Sequence, residues 1–251
     1  MIEVDVVDGI GVVRLVHGKV NALDLELCRA ITRTMRDLDD RDAVRAVVVT
    51  GTGRVFSAGV DLKRVVDGGA AYAAEFLPAL NAAFRAVFDV GKPVVAAVDG
   101  HAIAGGCVLA AAADHRIMAG GTIGLPELRV GVPFPQSALE IVRFAIGPVA
   151  AHRAVFAGVN HGPEAALALG LVTELCDPDL LLDRASAAAA ALARDIPADV
   201  FRHTKAQVRH EVNERLDRAT DAATLELWTT AATDGRIQAF LDRTVGGRSE
   251  R

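Results

Sequence analysis

Aromatic residues are scarce, making up 4% of the 251-residue chain, with a single Trp and a single Tyr. Platforms for stacking nucleic-acid bases or sugar rings therefore have little material to draw on. An excess of positive charge is also missing: 27 Lys and Arg face 32 Asp and Glu, a net charge of −5. That balance argues against a nucleic-acid or anionic-membrane surface. The three cysteines, Cys28, Cys107 and Cys176, lie far apart with no CxxC pair, which excludes a disulfide scaffold or zinc knuckle. No apolar run approaches the ~18 residues of a membrane span. The longest, 103–113, is rich in Gly and Ala and ends at Asp114. The opening Met1-Ile2-Glu3-Val4-Asp5 lacks the basic and apolar regions of a signal peptide. The expectation is a soluble, cytoplasmic, well-cored protein, whose composition says nothing of its task.

What the chain does have is a regular alternation of strand and helix signals. Residues 2–7 and 10–16 are β-rich and flank Asp8-Gly9, a strong hairpin signal. Asp24 is placed to cap a helix whose apolar positions Leu27, Ala30, Ile31, Met35 and Leu38 follow helical spacing. Residues 44–50 and 93–98 read as strands buried on both faces. A Gly-punctuated loop, 51–59, leads into a second helical stretch, a further helix opens at Gly105-Gly106, and 130–135 is a loop interrupted by Pro and Gly. From Pro178 the pattern is helical, including the Ala-rich run 185–193. The polar end from Gly246-Gly247 is expected to fray. Alternation of this kind predicts an α/β core with right-handed crossovers.

One internal echo stands out. Residues 47–62 read VVVTGTGRVFSAGVDL and residues 94–109 read VVAAVDGHAIAGGCVL. Each is a buried strand, a Gly turn, a small-residue pair and a helix start. Such a turn leaves backbone N–H groups unpaired at a helix N-terminus. Two of them side by side can aim two donors at one developing oxyanion. On these residues alone the commoner reading is that both are ordinary strand-to-helix turns with glycines used for close packing.

Most other chemistry is absent. There is no GxxxxGK[ST] phosphate loop, no third Gly at dinucleotide spacing after Gly51 and Gly53, and no GxSxG elbow. None of the seven histidines forms HExxH, so a metal site has no support. His101 reads as a polar loop residue, and Cys107 as inert packing in an apolar helix start. Glu127 is different. It stands between Ile123-Gly124-Leu125-Pro126 and Leu128-Arg129-Val130-Gly131-Val132. Apolar surroundings would raise its pKa toward the range useful for proton transfer. The alternative is an exposed glutamate in a first helical turn after Pro126.

Taken in order, several segments resemble the crotonase (enoyl-CoA hydratase/isomerase) superfamily. They are Val20-Asn21-Ala22-Leu23, the run VFSAGVDLK at 55–63, Asp99-Gly100, and Ala104-Gly105-Gly106-Cys107. Then follow Asp114-His115-Arg116-Ile117, Gly124-Leu125-Pro126-Glu127-Leu128, and AALALGLV at 165–172. The resemblance implies an α/β fold, a spiral of repeated ββα units over 1–195. A C-terminal helical segment over 196–251 would serve trimer assembly, as homotrimer or dimer of trimers. It also implies an acyl-coenzyme A thioester as substrate and partner, with no metal or redox cofactor. Coenzyme A enters as part of the substrate.

By the same resemblance, the Val60 and Gly105 amides form the oxyanion hole and Glu127 carries the proton. Ser57, Ala58, Gly59, Asp61, Leu62 and Lys63 line the coenzyme A channel, with Lys19 and Ala22 nearby. Hydratases of the family carry a second glutamate two residues after the position of Gly106, where this chain has Val108. One carboxylate suffices to move a proton from C2 to C4. The resemblance therefore leans to Δ3,Δ2-enoyl-CoA isomerases, with a hydratase or other acyl-CoA lyase as alternative. An acyl-CoA-binding protein without turnover is a third reading. Mitochondrial-type isomerases commonly carry Asn where this chain has Pro126. Phe134 between two prolines reads as a wall for an acyl chain or as loop packing. Lys63, Arg64 and Lys205 are candidates to meet coenzyme A phosphates, with solvated surface charge the more usual role for any one of them.

Overall fold

Asp8 and Gly9 both take left-handed backbone, φ 52° and 80°, and close the expected hairpin. This computed structural model describes residues 1–218 and 221–246. The hairpin pairs β1 (Ile2–Val7) with β2 (Ile10–Leu15), one residue shorter than expected. Asp24 caps α1 (Leu25–Asp40), accepting from the Leu27 N–H at 2.8 Å. Three ββα turns follow. They are β3 (Ala46–Thr50), β4 (Val55–Ser57) and α2 (Leu62–Asp89); then β5 (Val94–Val98), β6 (His101–Ile103) and α3 (Gly105–Ala111); then β7 (His115–Met118), β8 (Ile123–Gly124) and α4 (Glu127–Val130).

The first strand of each turn joins one sheet and the second joins another. β1-β2-β3-β5-β7-β10 form the large sheet and β4-β6-β8-β9 the small one, with β9 at Asn160–His161 and β10 at Glu174–Leu175. Pairing is parallel between successive turns, β3 with β5 with β7 and β4 with β6 with β8. Parallel partners need crossovers, and the helices supply them. This is the expected spiral.

Strand periodicity divides the core. Val47, Val49, Val94, Ala96 and Val98 face the main cluster with Phe84, Phe88 and Leu109. Ala46, Val48, Val95 and Ala97 face the other way, against Leu181, Ala185 and Ala189. Those three residues belong to α8 (Leu181–Asp195), so the Ala-rich run roofs the second face. Between α4 and α8 come α5 (Gln136–Ile146), α6 (Pro148–Ala157) and α7 (Pro163–Leu169).

The chain ends in α9 (Ala198–Arg218), α10 (Ala222–Thr233) and α11 (Arg236–Gly246). Their buried Val212, Leu216, Trp228, Ala231 and Ile237 join the same cluster as Phe84, so these helices share the core of residues 1–195. α10 and α11 both pack on α2, and α11 also on α4. The expected frayed end lies outside the described residues. Among the described residues no helix is long and apolar enough to cross a membrane.

Lys205 corrects an expectation. It is not solvated: it sits on the inner face of α9, its ammonium 2.6 Å from Asp114 and 3.0 Å from the Lys92 carbonyl. Arg209, one turn on, reaches the same carboxylate at 2.7 Å and covers the Phe88 ring at 4.0 Å. Burial pushes the Lys205 pKa down to about 8, and Asp114 opposes that shift.

Candidate active site

The turns after β4 and β6 meet. The Leu23 N–H donates to the Gly59 carbonyl at 2.7 Å, and the Asp61 N–H to the Leu23 carbonyl at 3.0 Å. In a parallel bridge of this kind the intervening residue, Val60, turns its own N–H to the opposite side. Gly59 has φ 82°, which a side chain would strain. Ser57 sets the same turn: its buried hydroxyl donates to the Asn21 carbonyl at 2.8 Å and accepts the Gly59 N–H at 3.2 Å. Asn21 in turn donates to the Val55 and Phe56 carbonyls at 3.1 and 3.2 Å.

On the facing side, Ala104 adopts φ 53° and ψ −120°, a costly conformation for a residue with a Cβ. Its N–H is tied to the Gly124 carbonyl at 2.8 Å, and Gly105 follows as the first residue of α3. A Cβ on Gly106 would run into the Ser57 carbonyl, so the two turns touch at backbone distance. Among the described residues neither the Val60 nor the Gly105 amide donates to another protein group. Two free amides thus border one cavity.

Glu127 is the first residue of α4 and 7% exposed, so the exposed first-turn alternative does not hold. Its Oε2 is buried without a hydrogen-bond partner. Burial pushes the carboxyl up from the ordinary 4.5 to about 8, and a bond from its own backbone offsets only part of this. The cavity holding it is lined by Ala58, Val60, Leu62, Gly105, Val108 and Pro126, with Trp228 and Phe240 from the C-terminal helices. Among the described residues Glu127 is the one ionisable side chain on that wall.

Of the residues expected at the site, Ala58, Val60, Leu62, Gly105 and Glu127 line one cavity, and Gly59 adjoins it. Ser57 stands behind the turn rather than on the cavity wall. Asp61 caps α2 by accepting the Arg64 N–H at 3.1 Å. Lys63 is exposed and pairs with Asp67, Lys19 is exposed, and Ala22 is partly exposed beside Leu23. Arg64 is not simply solvated: it bridges Asp24 at 2.9 Å and Glu26.

Phe134 lies in a surface groove with Leu128, Leu139 and Phe156, away from Glu127, while Val132 and Pro135 line the cavity instead. His101 pairs with Thr122 at 3.0 Å, and burial raises the Cys107 thiol beyond reactivity. Sequence reasoning did not reach Ala104, Trp228 or the bracing side chain of Asn21. Trp228 had one available signal, being the chain's single tryptophan.

The pattern that defines the enoyl-CoA hydratase/isomerase family matches residues 5–244, and the chain belongs to that family. Its architecture is that of the crotonase superfamily. Carnitinyl-CoA dehydratase of Salmonella arizonae is 36% identical over 72% of this chain and 70% of its own. Human mitochondrial enoyl-CoA delta isomerase 1 is 28% identical over 97% of this chain and 82% of its own. The crystal structure of human mitochondrial Δ3,Δ2-enoyl-CoA isomerase superposes with a TM-score of 0.92 at 27% identity, covering 98% of both chains. An enoyl-CoA hydratase from Mycobacterium ulcerans superposes at 0.76 with 32% identity, covering 95% and 99%.

Proposed function

We propose that this protein shifts the double bond of an enoyl-CoA from C3 to C2. The observation that carries the reading is Glu127: a buried carboxylate with one unpartnered oxygen on an otherwise apolar wall, beside two free amides. In its ionised form Glu127 removes a proton from C2 of the acyl chain. Charge moves onto the thioester oxygen, where the Val60 and Gly105 N–H groups stabilise it, each donor worth about 3 kcal/mol. The same carboxyl then returns the proton to C4, leaving the conjugated 2-enoyl ester. Atoms balance without water or any redox partner.

A pKa raised toward neutrality suits one group to both steps. Val108 stands on the same wall where a hydratase would place its second acid, which weighs against water addition. The superposition on the human isomerase over nearly the whole chain supports the same choice. The reading includes coenzyme A entering as part of the substrate, with Lys19, Ala22 and Lys63 on the approach to the cavity, and Ser57 and Asp61 shaping the turn behind it. It also includes a homotrimer or dimer of trimers, for which the exposed groove of Leu128, Phe134 and Phe156 supplies an apolar face.

Incubation with 3-hexenoyl-CoA, following the absorbance of the conjugated thioester, tests the reaction. Turnover that disappears in Glu127→Gln supports it. No turnover on any 3-enoyl ester, or an undiminished Glu127→Gln rate, overturns it. Hydration of crotonyl-CoA well above background would promote the hydratase reading, and tight ester binding without turnover the binding-protein reading.

A further inference from the structure

We propose that Trp228 is the end wall of the acyl cavity and restricts the enzyme to short acyl chains of about four to six carbons. The inference rests on the acyl-CoA reading above and names the substrate class of the same site.

The direction of the cavity follows from exposure. Ala58 is exposed, and Val60, Leu62, Ile103, Ala104 and Phe240 are half-buried, so the mouth lies on their side. Leu80, Phe84, Val108 and Trp228 are buried to 2% or less, and they form the closed end. An acyl chain whose thioester oxygen meets Val60 and Gly105 therefore points its tail toward them. The floor begins early: a Cβ on Gly105 would lie 3.4 Å from the tip of the Phe84 ring.

The cavity volume is about 100 Å³. A cavity of ~150 Å³ takes one benzene, six carbons, so the space here suits about four, stretching to six with small adjustments. The wall is not a loose flap. The Trp228 indole N–H donates to the Pro133 carbonyl at 3.0 Å, and α10 behind it packs on α2. Close-packed walls of this kind do not open for free. With that N–H already engaged, the wall offers a hydrocarbon tail contact but no polar partner.

Binding of saturated acyl-CoA esters, which cannot react, tests the wall separately from the chemistry. Dissociation constants are measured calorimetrically for butanoyl-, hexanoyl-, octanoyl- and dodecanoyl-CoA. In the wild type dodecanoyl-CoA is expected to bind at least about tenfold more weakly than hexanoyl-CoA, the scale of discrimination a hydrophobic pocket achieves. Trp228→Ala is expected to bring the two together. Ala138→Leu, which adds bulk to the same cavity, is expected to weaken hexanoyl-CoA about tenfold and spare butanoyl-CoA. Equal wild-type binding of dodecanoyl and hexanoyl esters overturns the proposal. So does an Ala138→Leu profile identical to wild type, which decides the matter even where Trp228→Ala does not fold. A sharp length cutoff without isomerase turnover would sink the reaction and keep the wall; turnover with a flat length profile would do the reverse.

Discussion

Gly59 and Gly105 stand back to back: a Cβ built on Gly59 would lie 3.2 Å from the Gly105 amide nitrogen and 2.6 Å from the Ile103 carbonyl oxygen. The two free amides of the site are therefore set by one contact between neighbouring turns of the spiral. Neither turn can move without displacing the other.

Gly59→Ala tests that contact. The added methyl meets the Ile103 carbonyl and forces a side chain into φ 82°. The strain should cost about 1–3 kcal/mol, visible as a lower Tm. Turnover should fall about 10²–10³-fold, the cost of losing one oxyanion donor. A variant with wild-type kcat would show that the amides are not held by this turn.

Glu127→Gln should separate function from stability. Loss of the proton carrier is expected to lower kcat about 10²–10⁴-fold. Yet the variant should be the more stable protein at high pH. The folded carboxyl, raised to about 8, binds its proton more tightly than the unfolded one at 4.5. Its neutral form is fully compatible with the fold below 4.5, and stability drains away as pH rises through the window to about 8. Gln pays no such charge penalty. Denaturant titrations should agree at about pH 4 and diverge by several kcal/mol at about pH 9.

The pH profile of the reaction follows from the same group with the opposite sense. The base form is the deprotonated one, so kcat/KM should rise with pH and level off above about 8. A profile flat from pH 6 upward would assign the proton transfer to a group other than Glu127.

Local signals carried most of the fold into view. The Asp8-Gly9 hairpin, the Asp24 cap and the Val-rich buried strands each depend on a few adjacent residues, and each stands where the sequence places it. The spiral and the single-carboxylate site became readable through ordered motifs, since Gly59, Gly105 and Glu127 keep their spacing along the chain. What stayed hidden depends on distant packing. Nothing near Trp228 in sequence says that α10 folds back on α2 and brings its indole to Pro133. Ala104 gives no sign of its left-handed backbone, because alanine is the residue least suggestive of one. Lys205 reads as surface charge because α9 is strongly polar overall, and only its packing on α5, beside Lys92 and Asp114, selects the inner face.

That buried cluster yields an asymmetric prediction. Asp114 accepts from the Lys205 ammonium at 2.6 Å, the Arg209 guanidinium at 2.7 Å and the Val94 N–H at 2.8 Å. It is one carboxylate between two buried cations, tying α9 to the end of β5. Asp114→Asn keeps the shape but leaves both cations without an ionic partner, and should cost about 3–5 kcal/mol. Lys205→Met removes one cation and leaves Asp114 matched to Arg209, with the lysine stem's apolar contacts largely kept. Its cost should be less than half as large, because a burdened ammonium, already pushed down to about 8 by burial, is no longer being held. Chemical denaturation of the two variants at neutral pH measures the difference. Equal losses would mean that the cluster acts as a simple pair, with Arg209 contributing nothing to the balance.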